Sequence, residues 1–430
     1  MFKRILILAS GIALGVALSV AGFRVAAAWN LFPSRELSRS AGYVKDVMRL
    51  VNESYVDGKS AAYDQLARNA LHGMIESLDP HSEFLEAKDN AEFEEELIGE
   101  FGGIGIQVET RDNRIVVIAP LADTPGARAG IRRGDEIVSI NGKTLDPNGV
   151  VDGIVDRLRG KPGTTVALRT IRPSTQETFN LSLVREVIKV ESVRGVRVID
   201  GNAGYIQLTE FSDHTAVQFT QALERLAREG VNSLVIDLRD NPGGLLDAAV
   251  QVAEPFFKKG ELIVYTQGRN ASDRDDYRAE ADGEPVKLPI AIIINAGSAS
   301  AAEVFTGALK DTGRAVVVGE RSFGKGSVQS VFKLSHGEGL RLTTARYYTP
   351  GGVSIHEKGI APHVEVVMTP EEDAMLSRQR SRSDIKDPTE FKSRFGFGPV
   401  ADRQLQVALD VLKGVRLIGE PNAFRMTSAK

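Results

Sequence analysis

The chain contains no cysteine. That excludes disulfides, a thiolate nucleophile and any zinc or iron–sulfur centre held by thiolates. Histidine is sparse, six residues in 430, and no His-Glu-x-x-His pair offers a metallopeptidase zinc site. Neither charge sign dominates: 53 Lys and Arg oppose 57 Asp and Glu, for a net charge of −4. So even a balance lacks the basic character that nucleic acid requires, and no nucleic-acid partner is expected. No metal and no cofactor are expected either.

What is present begins with a leader. Lys3 and Arg4 precede an apolar run from Ile5 to Phe23, followed by Arg24 and Ala26-Ala27-Ala28. A basic start, an apolar stretch and an Ala-x-Ala site read as a secretory signal peptide. The run's nineteen residues are also just enough to cross a bilayer. Residues 1–28 are therefore expected to be a signal peptide or a membrane anchor, and either one exports the rest.

A hydrophobic share of 42% and a charged share of 26% are globular values, and the length predicts two to four domains. Residues 29–95 read as helical, because Tyr43, Val44, Val47, Met48, Leu50 and Val51 recur at helical spacing, as do Leu66, Leu71, Met74, Ile75 and Leu78. Residues 96–185 change to short β runs punctuated by glycine: Ile104–Val108, Ile115–Ile118, Asp135–Ile140 and Thr164–Leu168. That order and the Gly103-Ile104-Gly105-Ile106 segment resemble a PDZ domain. Residues 186–370 alternate strands and helices, which predicts a layered α/β core. Residues 371–430 read as a charged, mobile linker over about 371–393 and then one last amphipathic helix.

The chemistry points to Asn295-Ala296-Gly297-Ser298-Ala299-Ser300-Ala301-Ala302-Glu303. A buried strand ends there and a helix begins, so unpaired N–H groups lie beside a serine. Such donors suit a developing oxyanion. The same residues also spell a capping box, in which Ser300 and Glu303 merely satisfy the helix end. A nucleophilic serine needs a base. None of the histidines has a recognisable catalytic setting, although a triad through His356 stays open. Lys325, in Gly324-Lys325-Gly326, is the other candidate, provided burial lowers its pKa; a solvated turn is its ordinary fate. Gly319–Lys325 nearly matches a phosphate-binding loop. It lacks the following Ser or Thr, and a strand rather than a helix is expected next, which discounts an NTPase.

Three motifs in order decide between these readings: Asp237-Leu238-Arg239-Asp240-Asn241-Pro242-Gly243-Gly244, then Gly297–Glu303, then Gly319–Gln329. Together with Leu78-Asp79-Pro80-His81-Ser82 and the PDZ-like insert, they are similar to the carboxyl-terminal processing proteases, from about Tyr43 to Val366. The resemblance implies a crotonase-like protease core with an inserted PDZ domain and helical N- and C-terminal segments. It makes Ser300 the nucleophile, Lys325 the general base and Gln329 the residue that orients the lysine. It puts the amides of Gly244 and Ala301 in the oxyanion hole, and Asp311 where some members have an important aspartate. Gly103, Ile104, Gly105 and Ile106 match the loop that receives a substrate C-terminus. Asp240 departs from the asparagine frequent there, and Ala302 from a third serine.

The implied activity is that of a serine endopeptidase cleaving exported polypeptides with exposed C-termini, in the periplasm or at the inner membrane. Homo-oligomers and a helical-repeat adaptor protein are implied partners. The competing reading is a non-catalytic PDZ scaffold on a protease-like core. It need keep none of Ser300, Lys325 and Gln329.

Overall fold

A computed structural model describes residues 34–111, 114–121, 123–145, 151–382 and 385–419. The expected leader at 1–28 lies outside the described residues. Packing divides the chain into two units, up to Phe84 and from Leu85 onward. The first holds the helices Arg35–Ser54 and Tyr63–Glu76 at the periodic segments. Ser34 caps the first of them, its hydroxyl accepting the Leu37 N–H at 3.0 Å.

In the second unit the glycine-punctuated stretch forms an antiparallel sheet. Its strands run in the order Ile106–Arg111, Arg114–Pro120, Glu136–Ile140, Thr165–Arg172, Glu177–Val184. Ile104, Val117, Ile137, Ile140, Val166 and Leu168 fill its small core, with Leu158 from the helix Val151–Leu158. The chain enters this module through Glu100–Gly103 and leaves through Glu186–Lys189, which pair antiparallel. Entry and exit side by side are what insertion of one domain into another requires.

The larger core is a six-stranded sheet in the order Val193–Ile199, Ala203–Leu208, Ser233–Asp237, Ile290–Ile294, Ala315–Gly319, Val364–Glu365, parallel after the first pair. Ile290–Ile294 is an unbroken apolar run because both its faces are covered. Ile290, Ile292 and Ile294 meet the helices Thr215–Arg228, Leu246–Ala253 and Ala301–Asp311. Ala291 and Ile293 meet Ala408, Leu409 and Leu412 of the helix Arg403–Gly419. A second, antiparallel sheet holds Leu262–Gly268, Arg274–Arg278, Ser327–Lys333 and Gly339–Tyr348. Ser327–Lys333 is a strand, as the rejection of the phosphate-loop reading required.

One expectation is overturned. The stretch read as a mobile linker is ordered into the helices Pro370–Ser381 and Pro388–Phe395. A capping box starts the first: Glu372 N–H donates to Thr369 Oγ1 at 3.2 Å, and Thr369 N–H to Glu372 Oε2 at 3.0 Å. Its charges mask it, since Leu376 is its one buried residue.

Candidate active site

Three loops leave the carboxyl ends of adjacent parallel strands: 238–244, 295–300 and 320–326. In open α/β sheets that end is where ligand sites assemble. Ser300 closes the second loop as N-cap of the helix Ala301–Asp311, with φ +53° and ψ −118°. A non-glycine residue held there stores about 1–3 kcal/mol of strain. Ser300 and Glu303 close the helix end as a capping box, and the Glu303 N–H also donates to the Ser300 carbonyl oxygen at 2.8 Å. Ser300 also lines a cleft of about 500 Å³, shared with Lys325, Gln329, Gly244 and Tyr347.

Glu303 organises this corner. Its carboxylate is fully buried. Oε2 accepts the N–H groups of Ser300 at 2.8 Å and Lys325 at 2.9 Å; Oε1 accepts the Gly324 N–H at 2.7 Å and the Ser322 hydroxyl at 2.5 Å. Burial raises its pKa above the ordinary glutamate value, and those four donors work in the opposite direction. Burial lowers the pKa of the Lys325 ammonium, and the Arg341 charge adds to the effect. A lysine so placed is neutral, and so able to accept a proton, at a lower pH than one in water.

The loop 238–244 supplies backbone donors. Gly243 has φ +104° and Gly244 +136°, and a Cβ on Gly243 would stand 2.7 Å from Ser300 Cβ and 2.8 Å from the Ala301 nitrogen. Glycine is what lets this backbone lie against the serine. Among the described residues, the N–H groups of Gly244 and Ala301 donate to no acceptor. Because Glu303 takes the Ser300 N–H, the Ala301 N–H is the first free donor after Ser300 along the chain.

Other expected residues fall differently. Gln329 lines the cleft, but its amide donates to Ser327 Oγ at 2.9 Å and Thr343 Oγ1 at 3.2 Å rather than meeting Lys325. No hydrogen bond joins Ser300 and Lys325 side chains. Asp311 is a correction. It ends the helix that Ser300 begins, roughly 15 Å along the axis, and accepts the Gly351 N–H at 3.1 Å. Its place at the far end of the helix keeps it out of the cleft. His356 does not line the cleft either. Ser298 is fully buried; its hydroxyl donates to the Leu238 carbonyl at 2.8 Å and accepts the Asn295 N–H at 3.0 Å. That separates it from Ser300.

Tyr347 was not foreseen. Burial pushes its hydroxyl above the usual tyrosine range, with the Ser300 hydroxyl acting in the opposite direction. Tyr347 is buried and lies in a strand, where the chain alone reads only an alternating β pattern. Register is what carries it to the serine.

In the small module, Gly103, Ile104, Gly105 and Ile106 line a groove of about 360 Å³ with Leu158 and Arg159. The N–H groups of Ile104 and Gly105 donate to no acceptor among the described residues. Ile106–Arg111 is the edge strand of its sheet. Free loop donors beside an open edge are suited to a chain terminus. Ile104 itself is mostly spent in the module's core.

Residues 202–366 match peptidase family S41, and residues 102–183 match the PDZ domain family. The chain is 36% identical over 430 residues to a carboxy-terminal-processing protease of Bartonella bacilliformis, covering 96% of each chain. It is 36% identical over 321 residues to the carboxy-terminal processing protease CtpA of Bacillus subtilis, covering 73% of this chain and 68% of that one. Among solved structures it is similar to a photosystem II D1 C-terminal processing protease, with 30% identity, 75% of this chain and 92% of that chain covered, and a TM-score of 0.43. Likeness that runs unbroken through both modules, and not only through the serine and lysine motifs, makes a coincidental match of short motifs untenable: this chain belongs to the carboxy-terminal processing proteases of peptidase family S41 and is a serine-type endopeptidase with a PDZ domain.

Proposed function

We propose that Ser300 and Lys325 form a catalytic dyad that hydrolyses polypeptides recognised near their C-termini. The observation that carries this reading is the common cleft: a serine at a helix N-terminus and a half-buried lysine of lowered pKa face it together. Neutral Lys325 takes the Ser300 hydroxyl proton as Oγ attacks the scissile carbonyl. The oxyanion is held by the N–H groups of Gly244 and Ala301. The C–N bond then breaks, the Lys325 ammonium gives its proton to the leaving amine, and an acyl-enzyme remains. Water attacks that ester while Lys325 takes its proton, which then returns to Ser300 Oγ as the carboxylic product leaves. Gln329 orients the lysine once substrate draws it from Ser327 and Thr343.

The PDZ groove selects substrates by their free carboxylate and an apolar last residue, for which the unpaired loop N–H groups are the support. The protease core is of the crotonase type. The substrates are exported proteins, and the enzyme works in the periplasm, soluble or held at the inner membrane by residues 1–28, as a homo-oligomer that some substrates reach through a helical-repeat adaptor. The apolar run Ile5–Phe23 supports the location.

The test is direct. Incubate purified chain with an unstructured polypeptide, beside Ser300→Ala and Lys325→Ala. Wild type should cleave in chelator and in thiol-blocking reagent, and both variants should lose turnover while staying folded. Undiminished cleavage by Lys325→Ala overturns the dyad.

A further inference from the structure

Two consecutive residues at the start of the loop 238–244 are gripped by the C-terminal segment, which lies beyond the residues matched to the peptidase family. Arg239 is buried. Its guanidinium bonds Asp237 in the sheet, at 2.9 and 2.6 Å, and both carboxylate oxygens of Asp402 at 2.8 Å. Burial alone would raise the Asp237 pKa, yet Arg239 holds it at about 2. This pair anchors the loop's first end to the segment that precedes the last helix.

Asp240 has φ +60° and joins three parts of the molecule. Its Oδ1 accepts Asn295 Nδ2 at 2.8 Å, and its N–H donates to Asn295 Oδ1 at 2.9 Å. Asn295 begins the loop that ends at Ser300. Asp240 Oδ2 accepts the Ser377 hydroxyl at 2.9 Å and the Arg380 guanidinium, both from the helix Pro370–Ser381. Four residues later the same backbone reaches Gly244.

We infer that Asp240 and Arg380 are positioning residues for peptide hydrolysis: the helix Pro370–Ser381 holds the loop 240–244 through this ion pair and so keeps the Gly244 N–H in register with Ser300. The inference rests on the reading that Gly244 and Ala301 bind the oxyanion. A merely stabilising pair is the competing account, and it makes a different forecast. The Asp240 side chain is 41% exposed and that of Arg380 9%, so Arg380→Ala leaves no buried charge unpaired and should cost little stability. Arg380 Nη1 is buried without a partner, so removing the guanidinium also removes an unsatisfied donor. Loss of the pair should therefore register in rate before it registers in melting temperature.

The experiment uses the full chain with Arg380→Ala, Arg380→Lys, Asp240→Asn and the Asp240→Asn/Arg380→Ala double variant. Misplacing one oxyanion donor without deleting it should lower kcat about tenfold, with KM changed less than about twofold. Arg380→Lys should restore most of the rate. The double variant should be no slower than the slower single one, as expected for two residues acting through one contact. A peptide boronate, whose serine adduct places an oxygen where the oxyanion forms, should bind Arg380→Ala about tenfold more weakly. A folded Arg380→Ala with wild-type kcat and wild-type boronate affinity overturns the inference. So does a loss of kcat without loss of boronate affinity, or additive losses in the double variant. If Arg380→Ala does not fold, Asp240→Asn alone is read by the same kcat and boronate criteria. Wild type that cleaves nothing, or Ser300→Ala that cleaves normally, would instead defeat the dyad reading on which the inference rests.

Discussion

The main-chain N–H groups of Ser300 and Lys325 donate to one and the same atom, Oε2 of Glu303, at 2.8 and 2.9 Å. Twenty-five residues separate the two in the chain, yet a single buried oxygen fixes the backbone of both. The serine's strained φ and the lysine's loop are thus set together. The arrangement leaves the Ala301 N–H without an acceptor among the described residues.

Glu303→Gln keeps the shape but presents an amide where four donors converge. At least one donor loses its acceptor, which should cost about 3 kcal/mol of stability. Turnover should fall with it, because the group that ties the Ser300 and Lys325 backbones together is weakened. Urea denaturation read beside peptidase assays checks the two effects; a Glu303→Gln protein of wild-type stability and rate would refute the role given to this carboxylate.

Ser298→Ala separates structure from chemistry. Losing the bonds to Leu238 and Asn295 should cost about 1–3 kcal/mol of stability, while the folded variant keeps much of its turnover. Ser300→Ala should do the reverse. Thermal melts and kcat measured on the same preparations distinguish them.

The pH dependence follows from Lys325. Its folded pKa lies below the value of the unfolded chain, and only the neutral form is a base, so activity should rise with pH through the lowered value. Between that value and the unfolded one, the unfolded chain binds more protons, so this group's contribution to stability also rises with pH. Arg341→Met removes a nearby positive charge and should move the ascending limb of kcat/KM to higher pH. An unmoved limb means that Arg341 does not act on the base.

Gly243→Ala brings a methyl group to 2.7 Å from Ser300 Cβ at a φ of +104°. Backbone must shift, so the variant should lose more than about 1 kcal/mol and most of its turnover. Gly313→Ala is the control, since its Cβ meets nothing within 4 Å although its φ is also positive. Equal loss of activity in the two would mean that backbone strain alone, and not contact with the serine, is responsible.

Binding at the PDZ groove is best measured with the full-length Ser300→Ala chain, which cannot consume the probe. A peptide with an apolar last residue should bind about tenfold or more weakly when its C-terminus is amidated, because charge-assisted bonds to the Ile104 and Gly105 amides are lost. Equal affinities would assign substrate selection to the protease cleft.

Much of this was legible in the chain alone. The apolar run Ile290–Ile294, the glycines around Ser300 and Lys325 and the β grammar of residues 96–185 are local patterns. Local sterics and burial on both strand faces give them one meaning. What stayed hidden depends on contacts between distant positions. Glu303 reads as half of a capping box until folding brings Gly324 and Lys325 to its carboxylate. Asp311 and Ser300 share one short segment, and only the rise of the helix takes the aspartate away from the cleft. The helix Pro370–Ser381 shows no apolar face, since charge pairs rather than core packing dock it; its Thr369–Glu372 capping box was the signal to read. Sequence thus determined which residues can do the chemistry. Tertiary structure decided which of them meet, because hydrogen bonds and burial act through space, while a linear pattern records only neighbours along the chain.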